Sequence, residues 1–439
     1  MLSVFANAFR TPDLRRKLLF VLGIIVIFRL GSQLPAPGVD MANVNHCLGI
    51  EKGSGSGLYS LVNLFSGGAL LKLSIFALGI MPYITASIIL QLLVVVIPRL
   101  EALKNEGQAG NAKIQQYTRY LTLGLAVLQA TGIVALARSG SLLQGCNDAN
   151  GNALPLLHHN NSTVTFLVLV TTMTAGTAVI MWLGELITDR GVGNGMSVLI
   201  FTQVVATFPT AMWSIKQAKG WGTFALVVVV GLVIVAAVIF IEQAQRRIPV
   251  QYARRMVGRR MLGGSSTYIP IKVNQAGVIP VIFASSLLYL PAMAAQFDPN
   301  GGKWVDWVNT YFVRGNHPIY MVTFFLLLVF FTYFYVSITF DPAEVADNMK
   351  KYGGFIPGIR AGRPTEEYLR YVLNRLTFPG AMYLGIIALI PMVAVAMVNA
   401  NQNFPLGGTS ILILVGVALD TVKQIESQLQ QHNYEGFLR

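Results

Sequence analysis

The stretch LYSLVNLFSGGALLKLSIFALGIMPYITASIILQLLVVVIP, residues 58–98, holds two apolar runs of different kinds. The second, residues 74–97, is long enough to cross a bilayer, which takes about 20 mostly apolar residues. The first, Tyr59 to Leu70, is also apolar, but it is short and carries Gly67 and Gly68. An apolar segment too short to span reads as re-entrant, and irregular backbone at membrane depth is tolerated only where protein or a water-filled cavity surrounds it. This stretch therefore predicts a membrane protein with a cavity and a short element lying in it. On composition alone the competing reading is an interfacial loop helix.

Composition agrees with a membrane protein. Of 439 residues, 54% are hydrophobic and 12% charged, against roughly 25% charged in soluble chains, and the mean hydropathy is +0.58. Ten windows qualify as spans: residues 18–34, 74–97, 119–138, 163–183, 194–213, 222–242, 274–294, 319–340, 376–398 and 409–421, the last of marginal length. They leave no room for a sizeable soluble domain. The basic start, without a small-residue cleavage site, is not a removable signal peptide. Of the 32 Lys and Arg, 24 fall on one side of this ladder and 7 on the other. Positive loops stay in the cytoplasm, so both termini are expected there. The net charge of +13 is thus topological and not a nucleic-acid footprint.

Ten spans divide into five and five, and an odd number per half implies halves inserted with opposite orientation. The break falls at residues 214–221, giving an N-terminal half over 1–213 and a C-terminal half over 214–439. The sequence has no Walker A motif, no His-Glu-x-x-His and no Gly-x-Ser-x-Gly, so an enzyme is not expected. An ion-coupled transporter needs ionisable groups at the midplane, whereas Glu185, Asp189, Glu242 and Asp420 sit at span ends. Arg29, the one charge inside a span, is read as structural, snorkelling or pairing. With only Cys47 and Cys146, a disulfide framework and a cysteine zinc site are excluded and a lone disulfide stays open. No metal and no cofactor are expected.

Specific segments carry a family resemblance. Phe65 to Ala69 followed by Ser74 to Ile84, then Met181 to Glu185, Arg190 to Gly195, Gln245 to Val250, Lys272 to Pro280 and Pro357 to Arg360 resemble, in order, the SecY/Sec61-alpha family of protein-conducting channel subunits. The resemblance covers nearly the whole chain. It implies an all-α integral membrane fold, with ten transmembrane helices in two inverted five-helix halves around a central hourglass pore and a re-entrant plug helix at about 59–73. Carried over by position, the pore ring is Ile80, Ile84, Met196, Ile200, Ile282 and Ile413, where Met196 departs from the family's frequent isoleucine. An apolar constriction dewets when empty and still deforms around a passing chain, which is why such a ring is aliphatic.

The plug residues would be Leu61, Asn63, Phe65, Ser66, Gly67 and Gly68. A lateral gate between spans two and seven would bear Gln91 and Asn274, whose amides can hydrogen-bond across helices, although capping competes as a role for Asn274. Two long basic cytoplasmic loops, about 245–271 and 341–375, would dock a motor or ribosome through Arg246, Arg247, Arg254, Arg255 and Arg360, beyond simply enforcing topology. The implied partners are SecE-like and SecG-like small membrane subunits, the SecA ATPase, the ribosome, signal peptides, unfolded preproteins and membrane lipid. The implied location is the bacterial cytoplasmic membrane, where the channel passes unfolded secretory polypeptides and releases membrane segments sideways. A multi-span secondary transporter of a small solute is the alternative, and a membrane scaffold a weaker third.

Overall fold

The computed structural model describes residues 11–50, 67–139, 156–157, 162–252, 255–257, 260–262, 266–296, 302–313, 317–398 and 408–436. Each of the ten apolar windows holds a helix. Helix α1 (Pro12–Gln33) starts on a proline at its first turn, a position whose missing N–H costs nothing. It is followed by the short α2 (Met41–Ile50). The second window gives α3 (Met81–Val96), where Pro98 forces Ile97 into extended backbone (φ −101°, ψ 110°). The chain then turns by 99° into α4 (Pro98–Asn105). Next come α5 (Gln108–Ser139), α6 (Thr163–Arg190) and α7 (Gly195–Gln243), which merges windows five and six across a kink at Gly220, φ +80°. The remaining helices are α8 (Ile279–Gln296), the short α9 (Lys303–Val308), α10 (Pro318–Thr339), α11 (Pro342–Lys351), α12 (Arg363–Val398) and α13 (Gly408–Gly436).

Five helical stretches among the described residues are long and apolar enough to cross a membrane alone: Gln108–Arg138, Thr163–Arg190, Gly220–Gln243, Pro318–Lys351 and Arg363–Ile390. The bent pair α3 and α4 makes a sixth if counted as one span. The other four windows hold shorter or more charged helices. Residues 74–80 depart from the continuous second span that hydropathy predicts, Ser74 forming a β-bridge with Pro35 and residues 75–80 turns rather than helix. Their backbone is bonded sideways: Ile75 N–H donates to the Leu34 carbonyl (3.0 Å) and Ala36 N–H to the Leu73 carbonyl (3.0 Å). The left-handed backbone of Gly79, φ +57°, completes the departure.

The same neighbour order recurs twice. In the first half α3 packs on α5, α5 on α6 and α6 on α7; in the second, α8 packs on α10, α10 on α12 and α12 on α13. The two runs meet extensively where α7 packs on α13, and α3 touches α8 only lightly. Between the halves, the Lys216 ammonium lies 4.1 Å from the Trp213 ring centre and 4.0 Å from that of Trp221, an arrangement suited to a membrane interface. Close backbone approach fixes the α6–α7 turn, since a Cβ on Gly195 would fall 1.8 Å from the Gly184 carbonyl oxygen.

The first long basic loop is not a helix or an irregular excursion but a β-hairpin. Strand β1 (Gln245–Tyr252) pairs antiparallel with β4 (Ser266–Lys272), and β5 (Gly354–Phe355) from the second basic loop joins β1 on its other side. A smaller ribbon, β2 (Arg255–Val257) with β3 (Arg260–Leu262), lies between β1 and β4 in the chain. The period-2 signal is present, with Ile248 and Val250 buried between exposed neighbours, but Pro249 and Pro270 obscure it. Prolines fit here because β4 is an edge strand and β5 covers only Gln251 and Tyr252 of β1. Ile248, Val250 and Ile271 join Met349, Ile356, Leu369 and Leu373 in a separate apolar core. The two basic loops thereby form one folded unit.

Candidate functional site

Met196, Ile200 and Gln203 lie at i, i+4 and i+7 on α7, one face of the helix. The Asn194 side chain caps this helix by accepting from the N–H groups of Met196 and Ser197, which fixes where the face begins. Ile80 stands at the cap position of α3 and Ile84 one turn on, its N–H donating to the Ile80 carbonyl (3.2 Å). Ile282 comes from the first turn of α8 and Ile413 from α13. Ile80, Ile84, Ile200, Ile282 and Ile413 are all buried in one apolar cluster, with Met196 partly buried against it. Six aliphatic side chains from four helices thus belong to one apolar cluster, and an aliphatic ring holds no file of water.

Leu61, Asn63, Phe65 and Ser66 lie outside the described residues. Gly67 and Gly68 are described, both left-handed at φ +66° and +85°, a conformation that glycine adopts without strain. The Arg29 guanidinium donates to the Gly67 carbonyl (3.2 Å). Beyond the glycines the chain is fastened to the end of α1, through the two backbone bonds already given and a hydrogen bond from Lys72 Nζ to Gln33 Oε1 (2.6 Å). Leu70 and Leu73 are buried in a second apolar cluster with Cys47 and Leu156. Cys47 is disulfide-bonded.

The amides of Gln91 and Asn274 do not pair. Gln91 is exposed and donates to Ser87 Oγ within its own helix (3.3 Å). Asn274 is buried, and its amide donates to Glu242 Oε1 (2.5 Å) and to the Gly277 carbonyl (3.1 Å). It ties the end of α7 to the turn that starts α8, close to the capping role that competed for it. Lys272 and Asp420 form a salt bridge at 3.4 Å, and Arg119 pairs with Glu185 at 2.8 Å. The acidic residues at span ends are therefore largely engaged.

Arg246 and Arg247 are exposed on β1, with the Arg247 guanidinium 4.8 Å over the Tyr268 ring. Arg360 is exposed on a loop flanked by Gly358 and Gly362, both left-handed, and its carbonyl accepts from Thr365 Oγ1 (2.9 Å). Arg254 lies outside the described residues, and Arg255 stands on β2. Sequence reasoning missed Gln203, whose visible signal was the one amide in the largely apolar run 196–208 before Pro209. It also left Arg29 without a partner, because nothing local indicates a carbonyl 38 residues away.

The SecY family model matches residues 74–422. The protein translocase subunit SecY of Streptomyces scabiei is 66% identical over 443 residues, covering all of both chains. A solved SecY structure, described as one whose plug domain stabilises the closed state of the translocation channel and maintains a membrane seal, superposes with a TM-score of 0.63 at 18% identity. It covers 94% of this chain and 91% of the other. Sec61 in the canine ribosome-channel complex from the endoplasmic reticulum superposes at 0.61 and 17%, with the same coverage. At these identities the structural matches establish the fold.

Proposed function

The chain belongs to the SecY family, and from that premise we propose that it conducts unfolded secretory polypeptides across the bacterial cytoplasmic membrane and releases signal sequences and membrane segments sideways into lipid. It is a channel subunit and not an enzyme. The observation that carries the reading is 66% identity over the full length to a protein translocase subunit. The secondary-transporter alternative gains no support.

The mechanism follows from the groups at hand. Ile80, Ile84, Met196, Ile200, Ile282 and Ile413 form the waist; their shared apolar cluster supports this. Dry when empty, it blocks ions, and its flexible aliphatic walls yield to a passing chain. The plug, over about 59–73, hinges at Gly67 and Gly68, whose left-handed backbone supports a swivel there. The lateral gate runs along the light contact of α3 with α8. Gln91 and Asn274 flank this seam without bridging it.

The chain has no nucleotide-binding motif, so a partner supplies the energy. The joined basic loops, with Arg246, Arg247, Arg254, Arg255 and Arg360, dock the SecA ATPase or the ribosome, the latter as in the canine channel complex. SecE-like and SecG-like subunits complete the assembly, with both termini in the cytoplasm. Residues 1–213 and 214–439 act as the two halves, in keeping with the repeated neighbour order. The test is translocation of a signal-bearing precursor into proteoliposomes, with and without SecA and ATP. Protease-protected precursor is expected only with both. Saturable small-solute uptake without polypeptide transport would overturn the reading in favour of a transporter.

A further inference from the structure

Two residues from different helices border the hinge at Gly67. Arg29, on α1, donates to the Gly67 carbonyl at 3.2 Å. Gln203, on α7, is 0% exposed, and neither its amide nitrogen nor its amide oxygen has a hydrogen-bond partner among the described residues. A Cβ placed on Gly67 would lie 3.4 Å from Arg29 Nη1 and 3.4 Å from Gln203 Cα, so both residues border the same turn. Gln203 also continues the face of Met196 and Ile200 one turn further along α7. It is therefore a buried amide just past an aliphatic constriction, on a residue whose Cα and Cβ border the glycine hinge.

From this geometry we infer that Arg29 and Gln203 are positioning residues that act on the hinge in opposite senses. This rests on the plug reading given above. A guanidinium held by a carbonyl loses a charge-assisted bond when the hinge swings away, so Arg29 favours the closed position. A buried amide that lacks a partner carries the cost of its lost hydration, and that cost disappears once the hinge leaves and water or the passing peptide backbone reaches it. Gln203 thus favours opening. A peptide in transit offers carbonyl and N–H groups of every sequence, so an amide suits a partner that is never the same twice. The two residues set how readily the hinge is displaced: Arg29 gives the threshold and Gln203 lowers it.

The test uses the full chain purified with its accompanying small subunits and read in planar bilayers as resting ion conductance. Arg29→Gln is expected to raise the resting open probability by about tenfold, the weight of one charge-assisted bond, with Arg29→Lys intermediate. Gln203→Leu, which keeps the volume and removes both polar atoms, is expected to lower the raised leak of Arg29→Gln by between about fivefold and a hundredfold. By itself Gln203→Leu should raise the melting temperature of the closed protein in detergent and weaken transport of precursors with defective signals. A residue needed merely for packing would move these readouts the other way.

Deletion of Leu64 to Leu70 serves as the reference. If that deletion leaves resting conductance unaltered, the plug reading itself fails. If the deletion raises conductance while Gln203→Leu lowers neither leak nor transport of defective precursors, the opposition of the two residues is overturned and the plug stands. Should Arg29→Gln not insert, Arg29→Lys serves as the leaky background, and a leak no higher than that of the parent overturns the Arg29 half.

Discussion

Replacing Ile80, Ile200 and Ile413 together by Ser distinguishes a waist from an ordinary core. Ile80 and Ile413 are 0% exposed and Ile200 is 4% exposed, so by burial alone they look like packing residues. In a closed core each truncation would cost about 2–5 kcal/mol. Three of them would sum to roughly 6–15 kcal/mol, which matches the whole stability of a typical domain. At a waist the serines face an axis that water can enter, the cavity contribution vanishes and the hydroxyls are solvated. The remaining loss is at most the transfer of three CH₂-sized groups per site at about 0.8 kcal/mol each, an upper bound of roughly 7 kcal/mol for the triple variant, at the low end of the core range. The expected result is a variant that still inserts and conducts ions at rest, because a polar constriction no longer dewets. Membrane fractionation and single-channel recording read the two outcomes. A variant that inserts and conducts no more than its parent refutes the ring.

Arg360→Glu should leave insertion intact, since Lys350, Lys351, Arg363, Arg370 and Arg375 keep the loop positive, and should cut motor-driven translocation by at least about tenfold. Protease mapping and transport on the same membranes check it; lost orientation would make Arg360 a topology residue. Gly195→Ala drives a methyl against the Gly184 carbonyl, 1.8 Å away, and should lower the melting temperature by an amount equivalent to about 1–3 kcal/mol or more, whereas an unchanged melt would show that the α6–α7 turn is loose. Asn274→Leu strips Glu242 of its buried amide donor and should destabilise by about 1–3 kcal/mol or more, with partial recovery when Glu242→Leu is added; no recovery would mean the loss comes from the Gly277 turn.

Hydropathy and the Lys and Arg bias were enough to read the number of apolar segments and the expected orientation from the residues alone, because lipid imposes a demand that every span must meet locally. The resemblance was legible because glycines, prolines and arginines recur at fixed positions through Arg190 to Gly195, Lys272 to Pro280 and Pro357 to Arg360. Those residues serve turns: Asn194 caps α7, and Gly277 and Gly358 are left-handed. Turn chemistry depends on a few neighbouring residues, so it survives in a one-dimensional string. The β-hairpin of the first basic loop was also written there, as alternation around Ile248 and Val250, but its prolines fit only because of which strand edges β4 and β5 leave open.

What the tertiary structure decided is long-range. Whether residues 74–80 continue a helix depends on the carbonyl of Leu34 and the N–H of Ala36, which hydropathy cannot see. Asn274 could have faced Gln91; its choice of Glu242 follows from where α7 ends beside the start of α8. Arg29 and Gln203 look in the sequence like one tolerated charge and one stray amide, and only the fold sets both against Gly67. A span's apolarity is a property of its own side chains, so the sequence determines it. A polar group's function depends on what its one hydrogen bond reaches across the bundle, and packing alone decides that.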